Sequence, residues 1–315
     1  KYNNFQISKI KKILQKNYIF DLRNYKKFKK TVNFIKPDII FHLAAQALVK
    51  KSYRETFETF ATNTVGTLNI LEIICNFKKK INLVLITSDK VYKNINKKKK
   101  YIESDKIGGD DPYSSSKGAA DIIANSYKLL FEKKGHKIII ARAGNVIGGG
   151  DWAENRIISD CFTSWNRNVP VKIRSPRSTR PWQHVLEPIS GYLLAGYHLI
   201  KKDKKITGEA FNFGPFKSDN KTVKDILLIL KKQWKSFKVR FVNDNYFVEH
   251  KLLQLSSSKA QKILNWKSTL NFNETVKFTS EWYSAYRNKM DMIKFTRIQI
   301  KNYEKKFFKV NKYKI

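Results

Sequence analysis

The first 150 residues of this 315-residue chain alternate between short, almost continuous apolar runs and longer segments whose apolar residues recur at helical spacing. The runs are 18–20, 39–43, 83–86 and 138–141, and the helical segments are 5–16, 25–35, 56–77 and 114–133. Apolar strands separated by helices pair in parallel and are covered on both faces. We therefore predict an α/β fold with a Rossmann-like, doubly wound parallel sheet.

One expected element of such a sheet is not visible. Dinucleotide-binding sheets hold a pyrophosphate on a Gly-rich turn between the first strand and the next helix. No such turn precedes Asp21, and the glycines at 148–150 follow another strand without opening a helix. A strand–helix–strand unit takes about 30 residues or more. We therefore expect the sheet to lack its first strands, as in an N-terminally truncated protein.

After about residue 150 the alternation loosens. A loop rich in Arg, Pro and Trp (174–182) precedes predicted helices at 186–199 and 222–234 and short strands at 210–214 and 239–241. Thr222 and Asp225 have the spacing of a capping box. We expect a dinucleotide-binding domain over 1–150 and a smaller substrate lobe over 151–290, with 183–215 returning to the first domain. The basic, aromatic tail at 291–315 is expected to be poorly ordered.

The net charge of +37 raises the possibility of a nucleic-acid partner. The excess is Lys spread over nearly every segment, as an A/T-rich coding sequence produces, and no nucleic-acid-binding motif is present. No apolar run reaches about 18 residues, so no membrane helix is predicted. The two cysteines are far apart and suggest neither a disulfide framework nor a metal site. We expect a cytoplasmic protein that binds neither nucleic acid nor membrane.

Two motifs carry candidate chemistry. Tyr113 and Lys117 are four residues apart on a predicted helix, where an ammonium group would lower the phenol pKa and produce a base. Such a pair also occurs by chance. Ser88, Asp89 and Lys90 follow a predicted strand, where α/β sheets bind their ligands. They offer a hydroxyl, an acid and a base, although a plain turn with a solvated Lys explains them equally well.

Longer strings make the case more specific. They are FHLAAQ (41–46), SYRE (52–55), TSDKVY (87–92), DPYSSSK (111–117), RAGNVIGGGDW (142–152), RPWQHVLEP (180–188), FNFGP (211–215) and SSSKAQKILNW (256–266). Together they resemble the CDP-glucose 4,6-dehydratase family of extended short-chain dehydrogenases/reductases, in one register from about residue 21 to 286. The resemblance implies tightly bound NAD, dehydration of CDP-glucose to a 4-keto-6-deoxy sugar, and a role in deoxysugar and surface-polysaccharide synthesis.

The resemblance also implies residue roles. Tyr113 would take the proton of the sugar 4-hydroxyl, Lys90 the proton at C5, and Asp89 would protonate the departing 6-hydroxyl. Ser88 would hydrogen-bond the sugar, and Lys117 would assist Tyr113 and the cofactor ribose. Besides Tyr113 and Lys117, the implied cofactor contacts are Asp21, Leu43, Ala44, Ala45, Gln46, Asn63 and Thr87. The implied substrate contacts are Asn145, Arg156, Arg180 and Trp182.

Alternatives remain open at this point. Without a phosphate-binding turn the chain could be a truncated, non-catalytic relative that binds NAD weakly. An NAD-dependent nucleotide-sugar epimerase is a second alternative, although epimerases do not need the Asp89–Lys90 pair. The resemblance further implies a homodimer through helices 56–77 and 114–133. In the first of these, Leu68, Ile70, Leu71, Ile73 and Ile74 exceed what one core contact requires.

Overall fold

A parallel sheet forms the centre of the computed structural model, which describes residues 3–95, 99–201, 206–215, 221–242 and 254–312. The strands are β1 (Ile39–His42), β2 (Asn82–Ile86), β3 (Lys100–Tyr101), β4 (Lys137–Ala143), β5 (Val146–Ile147), β6 (Val171–Ile173), β7 (Thr179–Arg180), β8 (Gln183–His184), β9 (Ala210–Phe213), β10 (Lys221–Thr222), β11 (Val239–Phe241) and β12 (Gln254–Leu255). The central sheet has the order β1-β2-β4-β9, with every pair parallel. The predicted fold class is confirmed.

Helices cover both faces of this sheet. The helices of the described residues are α1 (Asn4–Ile7), α2 (Tyr25–Ile35), α3 (Val49–Arg54), α4 (Thr56–Phe60), α5 (Gly66–Cys75), α6 (Pro112–Ser126), α7 (Lys128–Lys134), α8 (Ile157–Asn166), α9 (Leu186–Ile200), α10 (Val223–Gln233), α11 (Ser258–Leu264), α12 (Phe272–Arg287) and α13 (Met292–Asn311). Alternate strand residues point to opposite faces. Leu83 and Leu85 therefore pack with α2, α5, α6 and α7, whereas Val84 packs with α9, α11 and α13.

A second core lies outside the sheet. It joins α8, α10 and α12 with the short parallel pair of β6 and β11. Aromatic rings fill it: Trp165 stacks on Trp234 at a centroid distance of 4.6 Å, and Phe162 stacks on Tyr283 at 4.7 Å. Large rings bury much apolar area per side chain, so they can stabilise a lobe with few sheet hydrogen bonds.

Several predicted boundaries agree with the structure. The Thr222–Asp225 capping box is present at the start of α10. The predicted helix 56–77 is one continuous helix to Cys75, in which five residues, Ala61–Val65, form a π-helical turn between α4 and α5. The predicted helix 114–133 divides at Tyr127 into α6 and α7.

Two predictions near the N-terminus are wrong. The segment 5–16 is not one helix, because Lys9 has a left-handed backbone (φ 47°) that separates α1 from a short 3-10 turn, Ile10–Lys12. The run 18–20 is not a strand, and Ile19 is 85% exposed. Within the described residues no strand pairs with the outer edge of β1, and an apolar triplet without a ladder partner gains no strand hydrogen bonds.

The predicted disorder of the C-terminal tail is also wrong for most of its length. Residues Met292–Asn311 form α13, capped by Asp291, and Tyr303 and Phe307 are buried against the central sheet's helices. Tyr303 and Phe307 are therefore core residues, and the basic residues of α13 cover its solvent side. No helix in the described part of the chain is long and apolar enough to cross a membrane.

Candidate active site

An open cleft of about 810 Å³ lies at the carboxyl ends of β2 and β4, between the central sheet and the second core. This volume is in the range of small-molecule sites. The predicted site residues that line it are Thr87, Ser88, Asp89, Lys90, Tyr113, Asn145, Arg156, Arg180 and Trp182. The fold therefore brings residues from four separate motifs to one place.

The turn after β2 presents a carboxyl group and an amine to the cleft. Ser88 caps a 3-10 turn, Asp89–Val91, and its Oγ accepts a hydrogen bond from the backbone N of Lys90 at 3.2 Å. The turn buries Asp89 and leaves Lys90 only partly covered. Two consecutive side chains thus occupy different environments in the same cleft.

The Asp89 carboxyl is held from both sides. The Ser88 hydroxyl donates to Oδ1 at 3.0 Å, and Asn145 Nδ2 donates to Oδ2 at 3.2 Å. A Cβ atom on Gly144 would lie 1.9–2.2 Å from the carboxyl atoms, so glycine is required there. Burial raises the pKa of Asp89, although Lys90, Ser88 and Arg180 act to lower it. The group is therefore biased toward its protonated, proton-donating form.

Tyr113 lies in the first turn of α6, whose start follows from the sequence. Asp111 caps the helix by accepting from Ser114 N at 2.9 Å, and Pro112 occupies the first turn. The Ser52 hydroxyl accepts from the backbone N of Tyr113 at 3.1 Å, which ties α6 to α3. Tyr113 is thereby fixed beside Ser88.

The expected depression of the Tyr113 pKa is not found. Burial raises the pKa of Tyr113, and the Asp89 carboxyl adds to the rise, while Ser88 and Arg156 oppose it. The physical reason is the position of the neighbouring ammonium. Lys117 Nζ donates to the backbone oxygen of Ile86 at 3.0 Å, and burial lowers the pKa of Lys117 to about 8 although Asp121 opposes this.

The predicted cofactor segment emerges at the end of β1. Leu43 is 55% exposed and Ala44 is exposed, so an apolar surface is open at the carboxyl edge of the sheet. Just before them, His42 is buried, and its Nε2 has no hydrogen-bond partner. Burial and the nearby Lys117 lower the pKa of His42 to about 4, so the ring is neutral. An open apolar surface beside an unsatisfied polar atom fits a dinucleotide.

Two predicted cofactor residues have internal partners. Asn63, in the π-helical turn, accepts from Gln46 N at 2.7 Å and donates to Gln46 O at 3.0 Å and to Ser116 Oγ at 2.9 Å. The Gln46 side chain bonds the backbone of Leu48. Asn63 is 2% exposed, so it anchors the segment that contains Ala45. π-Helical turns are frequent at functional sites.

Asp21 lies away from the cleft. Its exposed carboxylate pairs with Arg23, which also pairs with Glu58. Hydrogen bonds from Arg23 lower the pKa of Asp21 to about 2. The Arg23–Glu58 pair links this segment to α4.

The four predicted substrate residues line the cleft: Asn145 contacts Asp89, and Arg156, Arg180 and Trp182 come from the segment after β5. Arg156 NH2 donates to the backbone oxygen of Ala47 at 3.3 Å, which links the second lobe to the segment after β1. Trp182 Nε1 donates to the oxygen of Lys221 at 3.0 Å and fixes the β7–β8 loop. Arg54 and Arg174 also line the cleft. Four arginines in one cleft suit an anionic ligand, because guanidinium groups bind phosphate in pairs of hydrogen bonds.

Sequence reasoning missed three residues of this region. Gly144 lies within the RAGN string but carries no side chain that draws attention. Asp121 and Arg142 form a buried ion pair behind the Ser88–Lys90 turn, at 2.7 Å. An Arg inside the apolar strand β4 was the available signal, since a buried charge needs a partner.

Known proteins resemble this chain over most of its length. The family model described as GDP-mannose 4,6 dehydratase matches residues 2–279. CDP-glucose 4,6-dehydratase of Salmonella typhimurium is 37% identical over 306 residues, which cover 95% of this chain and 85% of that protein. CDP-paratose 2-epimerase of Salmonella typhi is 23% identical, covering 84% and 83% of the two chains.

Solved structures share the fold. The dTDP-glucose 4,6-dehydratase DesIV of Streptomyces venezuelae, crystallised with NAD and TYD, has a TM-score of 0.72 at 21% identity and covers 87% of this chain and 81% of its own. The family model spans most of the chain, and the S. typhimurium relative is more than one-third identical over nearly all of it. This protein therefore belongs to the nucleotide-sugar 4,6-dehydratase family that the GDP-mannose 4,6 dehydratase model describes.

Proposed function

We propose that this protein dehydrates CDP-glucose to CDP-4-keto-6-deoxyglucose, with NAD as a cofactor that is regenerated in every turnover. The observation that carries the proposal is the buried Asp89, whose pKa burial raises, next to Lys90 in the cleft that also contains Tyr113. Loss of water from a sugar needs a base at one carbon and an acid at the next. The 37% identical relative is named for this reaction.

The proton transfers are assigned to three side chains. Tyr113 removes the proton of the 4-hydroxyl as C4 is oxidised to a ketone. The ketone acidifies the C5 hydrogen, which Lys90 removes as a proton, and the 6-hydroxyl leaves as water with a proton from Asp89. NAD, when bound, would supply the acceptor for the C4 hydride and the donor that reduces C6. Protonated Lys90 then returns its proton to C5. The sum is sugar minus one water, with no net oxidation.

The cofactor would be held at the edge of the sheet. Leu43, Ala44 and Ala45 offer apolar contact at the end of β1, and Lys117 flanks it on α6. The Thr87 hydroxyl is engaged by Asp121, so Thr87 would meet the cofactor through its backbone at the end of β2. Asn63 and Gln46 hold that segment in place through their mutual hydrogen bonds. Asp21 is assigned to the adenosine end. These residues belong to the cofactor domain, which we assign to 1–150.

The nucleotide sugar would bind the wall formed by the lobe at 151–290. Arg156 and Arg180 would hold the pyrophosphate, Trp182 would stack on the nucleotide base, and Asn145 and Ser88 would contact the glucose. The proximity of Arg180 to Asp89 supports this order, because Arg180 acts on the Asp89 pKa. The sugar carbons would then lie next to the acid.

The decisive experiment is incubation of the purified protein with NAD and CDP-glucose, followed by mass spectrometry of the sugar nucleotide. We expect a product that has lost one water, with no accumulation of NADH in solution. The Tyr113→Phe variant should fail to start the reaction. A product of unchanged mass with inverted C4 would favour an epimerase, and binding of CDP-glucose without conversion would favour a non-catalytic relative.

We further propose a homodimer that acts in the cytoplasm, where both proposed ligands occur. The apolar surplus expected on helix 56–77 is mostly internal, because Ile70, Leu71, Ile73 and Ile74 are buried in the chain's own core. A different set of residues supports the dimer. Exposed apolar side chains lie on α4, the π-helical turn, α5, α6 and α7. They are Phe57, Val65, Leu68, Ile122, Leu129 and Leu130.

A further inference from the structure

Hydrogen bonds hold the residues on both sides of the 3-10 turn Asp89–Val91. Thr87 precedes Ser88, and its hydroxyl donates to Asp121 Oδ2 at 3.1 Å. Tyr92 follows the turn, and its hydroxyl accepts from Arg142 NH1 at 2.8 Å. Both residues are buried, at 6% and 1% exposure. The segment with Asp89 and Lys90 therefore lies between two hydrogen bonds. The groups that make them, Asp121 and Arg142, do not line the cleft.

Those two groups are one ion pair. Arg142 Nε donates to Asp121 Oδ2 at 2.8 Å, and NH2 donates to Oδ1 at 2.7 Å. Arg142 is 2% exposed and Asp121 is fully buried. The pair joins α6 to β4, so the two ends of the turn are tied to a single rigid, bidentate unit.

The hydrogen-bond network continues beyond the Asp121–Arg142 pair. Arg142 NH1 also donates to the oxygen of Glu103 at 3.0 Å, and the Tyr92 hydroxyl donates to Asn212 Oδ1 at 2.8 Å. The Tyr92 ring stacks on Tyr101 at 5.2 Å. A satisfied buried network of this kind specifies one arrangement of its members.

We propose that the Asp121–Arg142 pair is a positioning device for water loss: by holding Thr87 and Tyr92, it sets where Asp89 and Lys90 stand, without touching the substrate. The inference rests on the proposed function, since it assigns the two residues to the elimination step. The pair does not contact Tyr113, so the oxidation at C4 depends on it less. A small misplacement of a catalytic group can cost about 10²-fold in rate.

The test compares Thr87→Val, which removes one hydroxyl and keeps the ion pair, with Arg142→Lys, which keeps the charge and loses the fork. Thr279→Val is the matched control, because Thr279 is equally buried and its hydroxyl bonds only the Thr275 oxygen within α12. Thr87→Ser restores the hydroxyl and should rescue. The first measurement is hydrogen exchange of the amides at 87–92, which needs no ligand.

We expect faster exchange at 87–92 in Thr87→Val and Arg142→Lys and wild-type exchange there in Thr279→Val and Thr87→Ser. The second measurement is a single turnover with NAD and CDP-glucose, followed by the absorbance of enzyme-bound reduced cofactor. Water loss should slow about tenfold in Thr87→Val and about 10²-fold in Arg142→Lys. Reduced cofactor should accumulate, with an unchanged KM for CDP-glucose.

Two results would overturn the inference. Exchange at 87–92 that matches the control in both variants would show that the pair does not hold the turn. Faster exchange without accumulation of reduced cofactor would show that the turn's position does not govern water loss. If the wild-type protein forms no dehydrated sugar, the proposed function fails, and the exchange result alone still decides whether the pair holds the turn.

Discussion

At the scale of single residues, the chemistry of the cleft depends on a carboxyl group that the fold deprives of water. A buried carboxylate loses its hydration. The free-energy cost of this loss exceeds the electrostatic attraction that Lys90 and Arg180 provide. Asp89 therefore keeps its proton to a higher pH than an exposed Asp. A general acid requires this property, which supports the proposed role of Asp89.

Replacement of Asp89 by Asn should slow water loss by about 10²–10⁴-fold, because the amide cannot donate a proton to the leaving hydroxyl. The oxidation at C4 should remain, since Tyr113 is intact. Rapid-quench analysis of bound sugar would distinguish the two steps. Equal loss of both steps would mean that Asp89 acts on the whole site rather than as the acid.

The raised pKa of Asp89 has a definite consequence for the pH profile. The acid must be protonated, so its contribution is present below its pKa and disappears as the pH rises through that value. In the wild-type protein the rate of water loss should fall on the alkaline side. In Asp89→Asn this alkaline decline should be absent, which single-turnover rates over a pH series would measure.

Gly144 allows the acid to occupy its position. Gly144→Ala would place a methyl group within 2.2 Å of the Asp89 carboxyl, so the acid must move. We expect a loss of turnover comparable to that of Asp89→Asn. Gly66→Ala is a suitable control, since its nearest neighbour is a Leu22 side-chain atom at 3.3 Å. Wild-type turnover in Gly144→Ala would contradict the tight packing of the carboxyl.

At the scale of elements, α6 carries several of the residues that surround the turn after β2. Tyr113, Lys117 and Asp121 recur every four residues, so one helix face carries the candidate base, a buried ammonium and the anchor of Arg142. The helix start is fixed by the Asp111 cap and by Pro112. Its position relative to β2 is fixed by Lys117, which bonds the Ile86 oxygen. A single helix thus contacts Ser88 and the two residues before it, Ile86 and Thr87.

On the other face of the sheet, α13 is joined to α9 through Glu187. This fully buried carboxyl accepts from the backbone N atoms of Thr269 and Leu270 and from the Tyr303 hydroxyl at 3.1 Å. Asn311 adds a second attachment, since its Oδ1 accepts from Lys267 N at 2.6 Å. The C-terminal helix is therefore part of the sheet's cover.

Glu187 should make stability depend on pH. Burial raises its pKa to about 7 from 4.5, although the backbone donors oppose the rise. Between these values the unfolded chain has lost the proton and the folded protein keeps it, so stability falls as the pH increases from 4.5 to 7. Wild type should lose about 2–3 kcal/mol more than Glu187→Gln between pH 5 and pH 8.

Urea unfolding at both pH values would measure this difference. Glu304→Gln, on the exposed side of α13, is the control and should behave as the wild type. An identical loss in wild type and Glu187→Gln would show that Glu187 does not titrate between the folded and unfolded states.

At the scale of the whole molecule, the cleft exists because two cores are adjacent. The sheet supplies the turn after β2 and the start of α6, and the aromatic lobe supplies the arginine wall. The link between Arg156 and Ala47 crosses between them. The many lysines leave the outer surface strongly positive, which adds repulsion to any self-association.

The proposed dimer can be tested on this surface. Phe57 and Leu129 are 80% and 70% exposed, and replacement of both by Lys should convert a dimer into a monomer in sedimentation velocity. Leu228→Lys on α10, 51% exposed, should leave the dimer intact. Because like charges repel, the wild-type dimer should tighten with added salt. A wild-type monomer at high concentration would remove the proposal.

The sequence by itself determined the sheet and the starts of several helices. Continuous apolar runs such as 83–86 and 138–141 predict buried parallel strands, and caps such as Asp111 and Thr222 are local, so neither depends on distant contacts. The family resemblance, too, was readable from the strings around Asp89 and Tyr113. These features are encoded over a few neighbouring residues.

Only the tertiary structure decided the rest. The triplet 18–20 has the composition of a strand but no neighbouring strand to pair with. The segment 292–311 is basic in composition, yet its aromatic residues Tyr303 and Phe307 pack into the core. The pKa of Tyr113 rises because the fold buries the phenol and places the Asp89 carboxyl nearby, which sequence spacing does not reveal. Burial, charge pairing and strand pairing depend on residues far apart in the chain, so local patterns cannot report them.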